Sequence, residues 1–137
     1  MPRHRGRIAA LKMLFEEDLA HPAVEALLER GLAEVRRSDR EFVIGLVQGT
    51  LAHRAEIDAA IESVAVGWRI GRMPAVDRNI LRLATYELGW TPEVPASVVI
   101  DEAVELADTY STPEGKRFIN GVLASLARRY RPQEVAP

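Results

Sequence analysis

At 137 residues, 47 % of them apolar and 28 % charged, the chain has the size and composition of one globular domain able to bury roughly two-thirds of its unfolded surface. The absence of cysteine excludes disulfides, thiolate metal sites and a cysteine nucleophile, and fits a reducing cytoplasm. A net charge of −2 does not suit a protein that coats long nucleic acid, but Arg3, Arg5 and Arg7 open the chain without an acid, while acids gather at Glu16-Glu17-Asp18 and along Asp101, Glu102, Glu105 and Asp108.

Helical spacing runs through the whole chain. Residues 1–6 are expected as a flexible basic arm, and the charged amphipathic segment that follows is unlike a secretory signal, so the cytoplasm is the expected compartment. Ile8, Leu11, Leu14, Phe15 and Leu19 predict one face of a first helix, which His21-Pro22 ends. Val24, Leu27, Leu28, Leu32 and Val35 predict a second. Ser38 with Glu41 reads as a capping box opening a long third helix, along which Phe42, Leu46, Val47, Leu51, Ile57, Ile61 and Val64 keep the period. Gly45 and Gly49 would each cost this helix about 1 kcal/mol, so close packing of another helix against them is expected. Residues 67–74 read as a connector with one helical turn around Trp68. A helix from Ala75 to Leu88 turns Val76, Ile80, Leu83 and Ala84 inward, and Gly89 with Pro92 and Pro95 ends it. Ser97 caps a helix to Tyr110, and Thr112-Pro113 opens a last one to Arg129. No apolar/polar alternation marks a strand, and 132–137 is expected as a disordered tail. The fold class is all-α: six or seven helices in a bundle of 1–137, as two three-helix sub-bundles sharing the long third helix.

Catalytic chemistry finds little support. His4, His21 and His53 lie outside any metal-ligand spacing, and Gly115-Lys116 lacks the rest of a phosphate loop. Asp101, Glu105 and Asp108 share one helix face, which ordinarily is a solvated stripe. No Ser/His/Asp set suggests itself, so no enzyme, metal or cofactor is expected. RNA binding is better supported. Arginine forks at Arg3, Arg5 and Arg7 suit phosphate, and Phe15 and Phe118 could stack unpaired bases. Lys116 and Arg117 precede Phe118, and the Asn120 amide could pair with a base edge. Each feature has a plainer alternative, a frayed terminus and two core phenylalanines.

The order and spacing of several blocks carry a resemblance over nearly the whole chain. They are Arg5-Gly6-Arg7 with Leu14-Phe15; Gly45-Leu46-Val47 with Gly49; Ile57-Asp58; Val76-Asp77-Arg78-Asn79-Ile80-Leu81-Arg82-Leu83-Ala84 with Tyr86-Glu87-Leu88; Ile100 through Ala107; and Phe118-Ile119-Asn120-Gly121-Val122-Leu123. In these the chain resembles the bacterial transcription antitermination family NusB. The resemblance implies an all-helical fold of two three-helix bundles with a seventh helix. It also implies binding of single-stranded boxA RNA in ribosomal RNA transcripts together with NusE, a small-subunit ribosomal protein, so that RNA polymerase ignores terminators. By position, Arg3, Arg5 and Arg7 would form the RNA-binding arm, with Phe15 where many relatives carry tyrosine. Lys116, Arg117, Phe118 and Asn120 would form a second RNA-contacting segment. Asp77 would lie at the NusE interface, with Arg78 and Arg82 on the same partner-binding surface. Arg5 and Phe118 are expected to meet on one side of the molecule to hold the RNA strand. Two alternatives stand beside this: an RNA-positioning module of the ribosomal RNA cytosine methyltransferase kind, and a homodimeric helical bundle using Asp77, Arg78 and Arg82.

Overall fold

Residues 3–135 are described by a computed structural model, and among them seven α-helices follow the apolar periodicity. They are α1 (His4–Ala20), α2 (Val24–Gly31), α3 (Arg37–Ala52), α4 (Arg54–Val64), α5 (Ala75–Trp90), α6 (Ala96–Tyr110) and α7 (Pro113–Tyr130), with 3-10 turns at Ile70–Arg72 and Pro132–Glu134. No strand occurs among the described residues, as the absence of alternation implied.

Helix α5 is the axis. It buries residues on every side, from Asp77 through Ile80, Leu81 and Leu83 to Leu88, and packs against α1, α3, α4, α6 and α7. Helix α1 runs antiparallel to it, since Arg7 meets Glu87 while Asp18 meets Arg78 and Asn79. Helix α7 runs parallel to it, since Gly115 approaches Asp77 at one end and Tyr130 approaches Gly89 at the other. Helices α1 and α3 pack together, as do α6 and α7, and α2 docks on α1. The helix shared between the two halves is therefore α5, where the apolar spacing had suggested a long third helix.

That long helix is interrupted. Its continuous apolar period carries no glycine or proline at the break, yet His53 leaves helical geometry at φ −107°, ψ 16° between α3 and α4. The imidazole stacks on the Trp90 ring at 4.5 Å, a contact between segments far apart in sequence. Gly49 meets the expectation of close packing, because the Tyr86 ring occupies the space a Cβ would take, whereas Gly45 faces open space. Helix α2 stops at Gly31, which lies against the Met13 side chain, although Leu32 and Val35 still pack on the core. Neither Ser38 nor Ser97 is a cap: α3 and α6 begin one residue earlier with no side-chain cap bond. Thr112 is one, its Oγ1 accepting the Gly115 N–H at 2.9 Å with Pro113 in the first turn.

Within the stretches expected as a basic arm and a tail, residues 4–6 and 132–134 carry helical structure. Helix α1 already includes His4, Arg5 and Gly6, and Gly6 is buried against Phe42 and Val43. Of the proposed arm and tail, residues 1, 2, 136 and 137 lie outside the described residues. Arg131 is buried and donates to the Leu88, Glu87 and Thr91 carbonyls at 2.8, 3.1 and 2.9 Å, closing the C-terminal end of α5. Its Nη1 also donates to Glu134, whose other oxygen accepts the Ala96 N–H at the start of α6. Arg131→Ala is expected to cost about 2 kcal/mol, the range for charged hydrogen bonds whose carbonyl partners are left behind. Urea unfolding reads this directly, and an unchanged midpoint would mean that the clasp is ornamental.

Candidate nucleic-acid interface

The charged and amide side chains Asp77, Arg78, Asn79, Arg82 and Glu87 of α5 are bonded internally. Asp77 is 6 % exposed and its Oδ1 accepts from Ser111 Oγ at 2.6 Å, tying α5 to the α6–α7 turn. Arg78 donates to Asp18 Oδ2 at 2.6 Å, and Asn79 reaches the same oxygen at 2.9 Å. Arg82 forks onto Asp58 at 2.8 and 3.0 Å and lies 3.3 Å from Asp18. Burial opposes ionisation of Asp18, but hydrogen bonds from Arg78 and Asn79 and the charge of Arg82 outweigh it and hold its carboxyl below the ordinary range. The motif that reads most distinctively in sequence thus joins α1, α4, α5 and the α6–α7 turn. Arg78 and Arg82, expected on a partner-binding surface, are engaged in holding helices together.

At the opposite end of α5, the three arginines of the chain start take different roles. Arg7 forks onto Glu87 with two contacts of 2.8 Å, and the two side chains are only 6 % and 2 % exposed. Its guanidinium, expected to meet RNA, is occupied by Glu87. Arg3 is exposed and lies over the Phe42 ring at 4.4 Å. Arg5 is exposed and, among the described residues, has no carboxylate partner. It lines an open groove of about 400 Å³ between α1 and the α2–α3 region, together with Lys12, Arg30 and Arg36. Glu16, Glu34 and Asp39 also line it, but Glu16 is occupied by Arg30 at 2.7 Å. Arg5, Lys12 and Arg36 form no salt bridge among the described residues, although Glu34 and Asp39 share the rim, so four cations face three acids. Sequence reasoning missed Lys12, one helical face from Arg5, and Arg36, which only folding brings near.

Phe15 is placed apart from Arg5, near the other end of α1. With Val76, Tyr110, Ser111 and Thr112 it borders a hollow of about 260 Å³ next to Asp77. On α7, Lys116 and Asn120 face the groove shared with α6, where Lys116 Nζ meets Asp108 at 3.0 Å. Arg117 lines the same groove and is exposed. Phe118 lies on the other flank of α7, partly buried, with its ring 5.9 Å from that of Trp68 in a tilted, edge-on arrangement. Arg5 and Phe118 are thus not brought together. One stands at the groove of α1, α2 and α3, the other where α7 meets the connector after α4. Asp101, Glu105 and Asp108 of α6 are exposed, Glu105 lying 3.5 Å from His4 of α1 and Asp108 pairing with Lys116 of α7.

Comparison with known proteins accords with this architecture. The NusB family model matches residues 4–128. The transcription antitermination protein NusB of Acidothermus cellulolyticus is 51 % identical over 124 residues, covering 90 % of this chain and 86 % of its own. That of Chloroflexus aggregans is 42 % identical over 138 residues, covering 98 % and 92 %. Among solved structures, T. maritima NusB superposes with a TM-score of 0.90 at 36 % identity over 98 % of this chain and 96 % of that one. A crystal structure of antitermination factors NusB and NusE in complex with dsRNA gives 0.85 at 29 % identity, covering 95 % and 100 %. The agreement spans both the α5 ladder and the helices it joins, and on it the chain belongs to the NusB family.

Proposed function

We propose that this chain is an RNA-binding transcription antitermination factor that recognises boxA RNA together with NusE and promotes processive transcription. Supporting observations are its similarity to NusB proteins, one of them solved with NusE and RNA, and the rim of Arg5, Lys12 and Arg36 around an open groove. Three guanidinium or ammonium groups neutralising about three phosphates of a single strand correspond to a salt slope near −2, modest binding that a second protein must reinforce. The hollow beside Asp77 suits that second protein. Phe15, Val76 and Tyr110 offer apolar walls, and Asp77, mostly buried and bonded through Oδ1 to Ser111, also lines the hollow. Asp77, with Phe15, is therefore the proposed NusE contact, and Arg5 with Arg3 the proposed RNA contact; Lys116, Arg117 and Asn120 offer a further polar edge.

The role is a binding one, without catalysis, and the cytoplasm is its setting. The relatives are named as antitermination proteins, and no helix among the described residues is long and apolar enough to cross a membrane.

The decisive experiment is a gel-shift titration of boxA and base-swapped RNA at fixed salt, with and without NusE. Linkage requires NusE and RNA to strengthen one another by the same factor. The RNA dissociation constant is expected to fall markedly at saturating NusE, and Arg5→Glu to weaken binding without moving the melting temperature. A dissociation constant indifferent to NusE and to base swaps would refute the reading.

A further inference from the structure

In the sequence His4 stands alone and the acids of α6 read as a solvated face, but folding brings His4 to two of them, Glu102 lying 98 residues away. The imidazole, partly buried in the first turn of α1, has Nδ1 2.9 Å from Glu102 Oε1 and Nε2 3.5 Å from Glu105 Oε1. Glu102 and Glu105, one turn apart on α6, share a face of that helix. One donor atom from each of the three residues lies within 4.8 Å of those of the other two. Among the described residues no other three histidine or carboxylate side chains converge in this way.

The cation beside the cluster is Arg7, whose Nη1 is 3.7 Å from Glu102 Oε1. Glu87 already forks that guanidinium with two contacts of 2.8 Å, so its charge is offset and it orients the Glu102 carboxylate. Glu105 has a side chain 59 % exposed and, among the described residues, meets no base other than His4. A neutral imidazole nitrogen with two carboxylate oxygens is the donor set of a borderline divalent ion such as zinc, whereas magnesium and calcium take oxygen alone. Tetrahedral zinc holds nitrogen and oxygen at about 2.1 Å, which sets them about 3.4 Å apart. The contacts of 2.9 and 3.5 Å bracket that spacing, though they use opposite ring nitrogens. One carboxylate must swing to share the other's nitrogen, and the exposed stem of Glu105 is free to do so.

We infer that His4, Glu102 and Glu105 form a binding site for a divalent transition-metal ion, zinc matching the donors best, that staples the first turn of α1 to α6. Three protein donors leave a coordination position to water. The site faces α6 and not the Arg5 groove, and it does not depend on the RNA-binding reading. The turn that it fixes nevertheless carries Arg5 and follows Arg3, the proposed RNA contacts.

The test uses the full chain without a histidine tag, stripped of metal by a chelator. Calorimetric titration with zinc chloride is expected to show one equivalent bound, while magnesium chloride over the same range shows none. Zinc at about a hundredfold excess over its dissociation constant should raise the melting temperature by about 8 °C. His4→Ala and, separately, Glu105→Gln should each weaken zinc binding by more than about tenfold, the loss that follows removal of even a supporting partner of a metal ligand. Glu105 is exposed, so Glu105→Gln keeps the test sound should His4→Ala disturb the start of α1. His21→Asn, at an exposed histidine away from the cluster, should bind zinc as the wild type does. A wild type that takes no zinc, or zinc binding that survives in both His4→Ala and Glu105→Gln, would overturn the site and leave His4 an ion-pair partner of the two acids. Magnesium bound as well as zinc would also overturn it, since the carboxylates would then act without the imidazole.

Discussion

Arg7→Ala is expected to lower stability by about 3–5 kcal/mol, the cost of removing one partner from a buried ion pair and stranding the other. Glu87, at 2 % side-chain exposure, would be left charged without its fork, and Glu102, 3.7 Å from Arg7, cannot supply a cation. For a chain of this length that corresponds to a fall in melting temperature of about 10–15 °C. Glu87→Ala should cost a similar amount. Replacing Arg7 and Glu87 together by leucine should cost much less than the two single changes summed, because no charge is then left buried. The same variants separate Arg7 from its neighbour in function. Arg5→Ala should reduce the RNA salt slope by about 0.7 and leave the melt untouched, whereas Arg7→Ala should move the melt and leave the slope alone. A steep loss of RNA slope in folded Arg7→Ala would show that the buried fork opens to phosphate.

Asp18→Asn should cost about 2–4 kcal/mol at pH 7, because Arg78 and Arg82 lose the carboxylate that lies 2.6 and 3.3 Å from them. The effect is pH-dependent in a defined direction. The folded-state carboxyl titrates below its unfolded value, so its contribution is complete above the ordinary aspartate value of about 3.9 and is lost as the pH falls through the lower folded value. The wild-type advantage over Asp18→Asn should therefore be constant at neutral pH and shrink below about pH 4. Urea midpoints at pH 7 and pH 3 measure this. An equal difference at both would mean that the Asp18 contacts contribute by shape and not by charge.

Much of the fold could be read from spacing alone, because a 3.6-residue apolar period follows directly from burying one face of a helix. The Thr112-Pro113 start of α7 was readable for the same reason, since capping is local chemistry. The break at His53 was not, because it depends on a ring stacked on Trp90 from another helix. The site was harder. Arginine, aspartate and asparagine types in α5 were visible, but their pairings join residues about sixty apart, as in Arg78 with Asp18, and a sequence does not show which charges meet. Arg7 and Arg5 look alike in the sequence, yet Arg7 falls on the buried stripe of α1 and Arg5 on the exposed one. His4 passed as a lone histidine, since the carboxylates it meets on α6 come from the other end of the chain.

The enclosure of α5 bears on how the molecule can be divided. Neither half has an interior without that helix: the α1, α3 and α4 side closes on one of its flanks, and the α6 and α7 side on the other. A cut anywhere between them would strand an apolar rod with half its neighbours missing. The protein is therefore expected to melt as an indivisible whole.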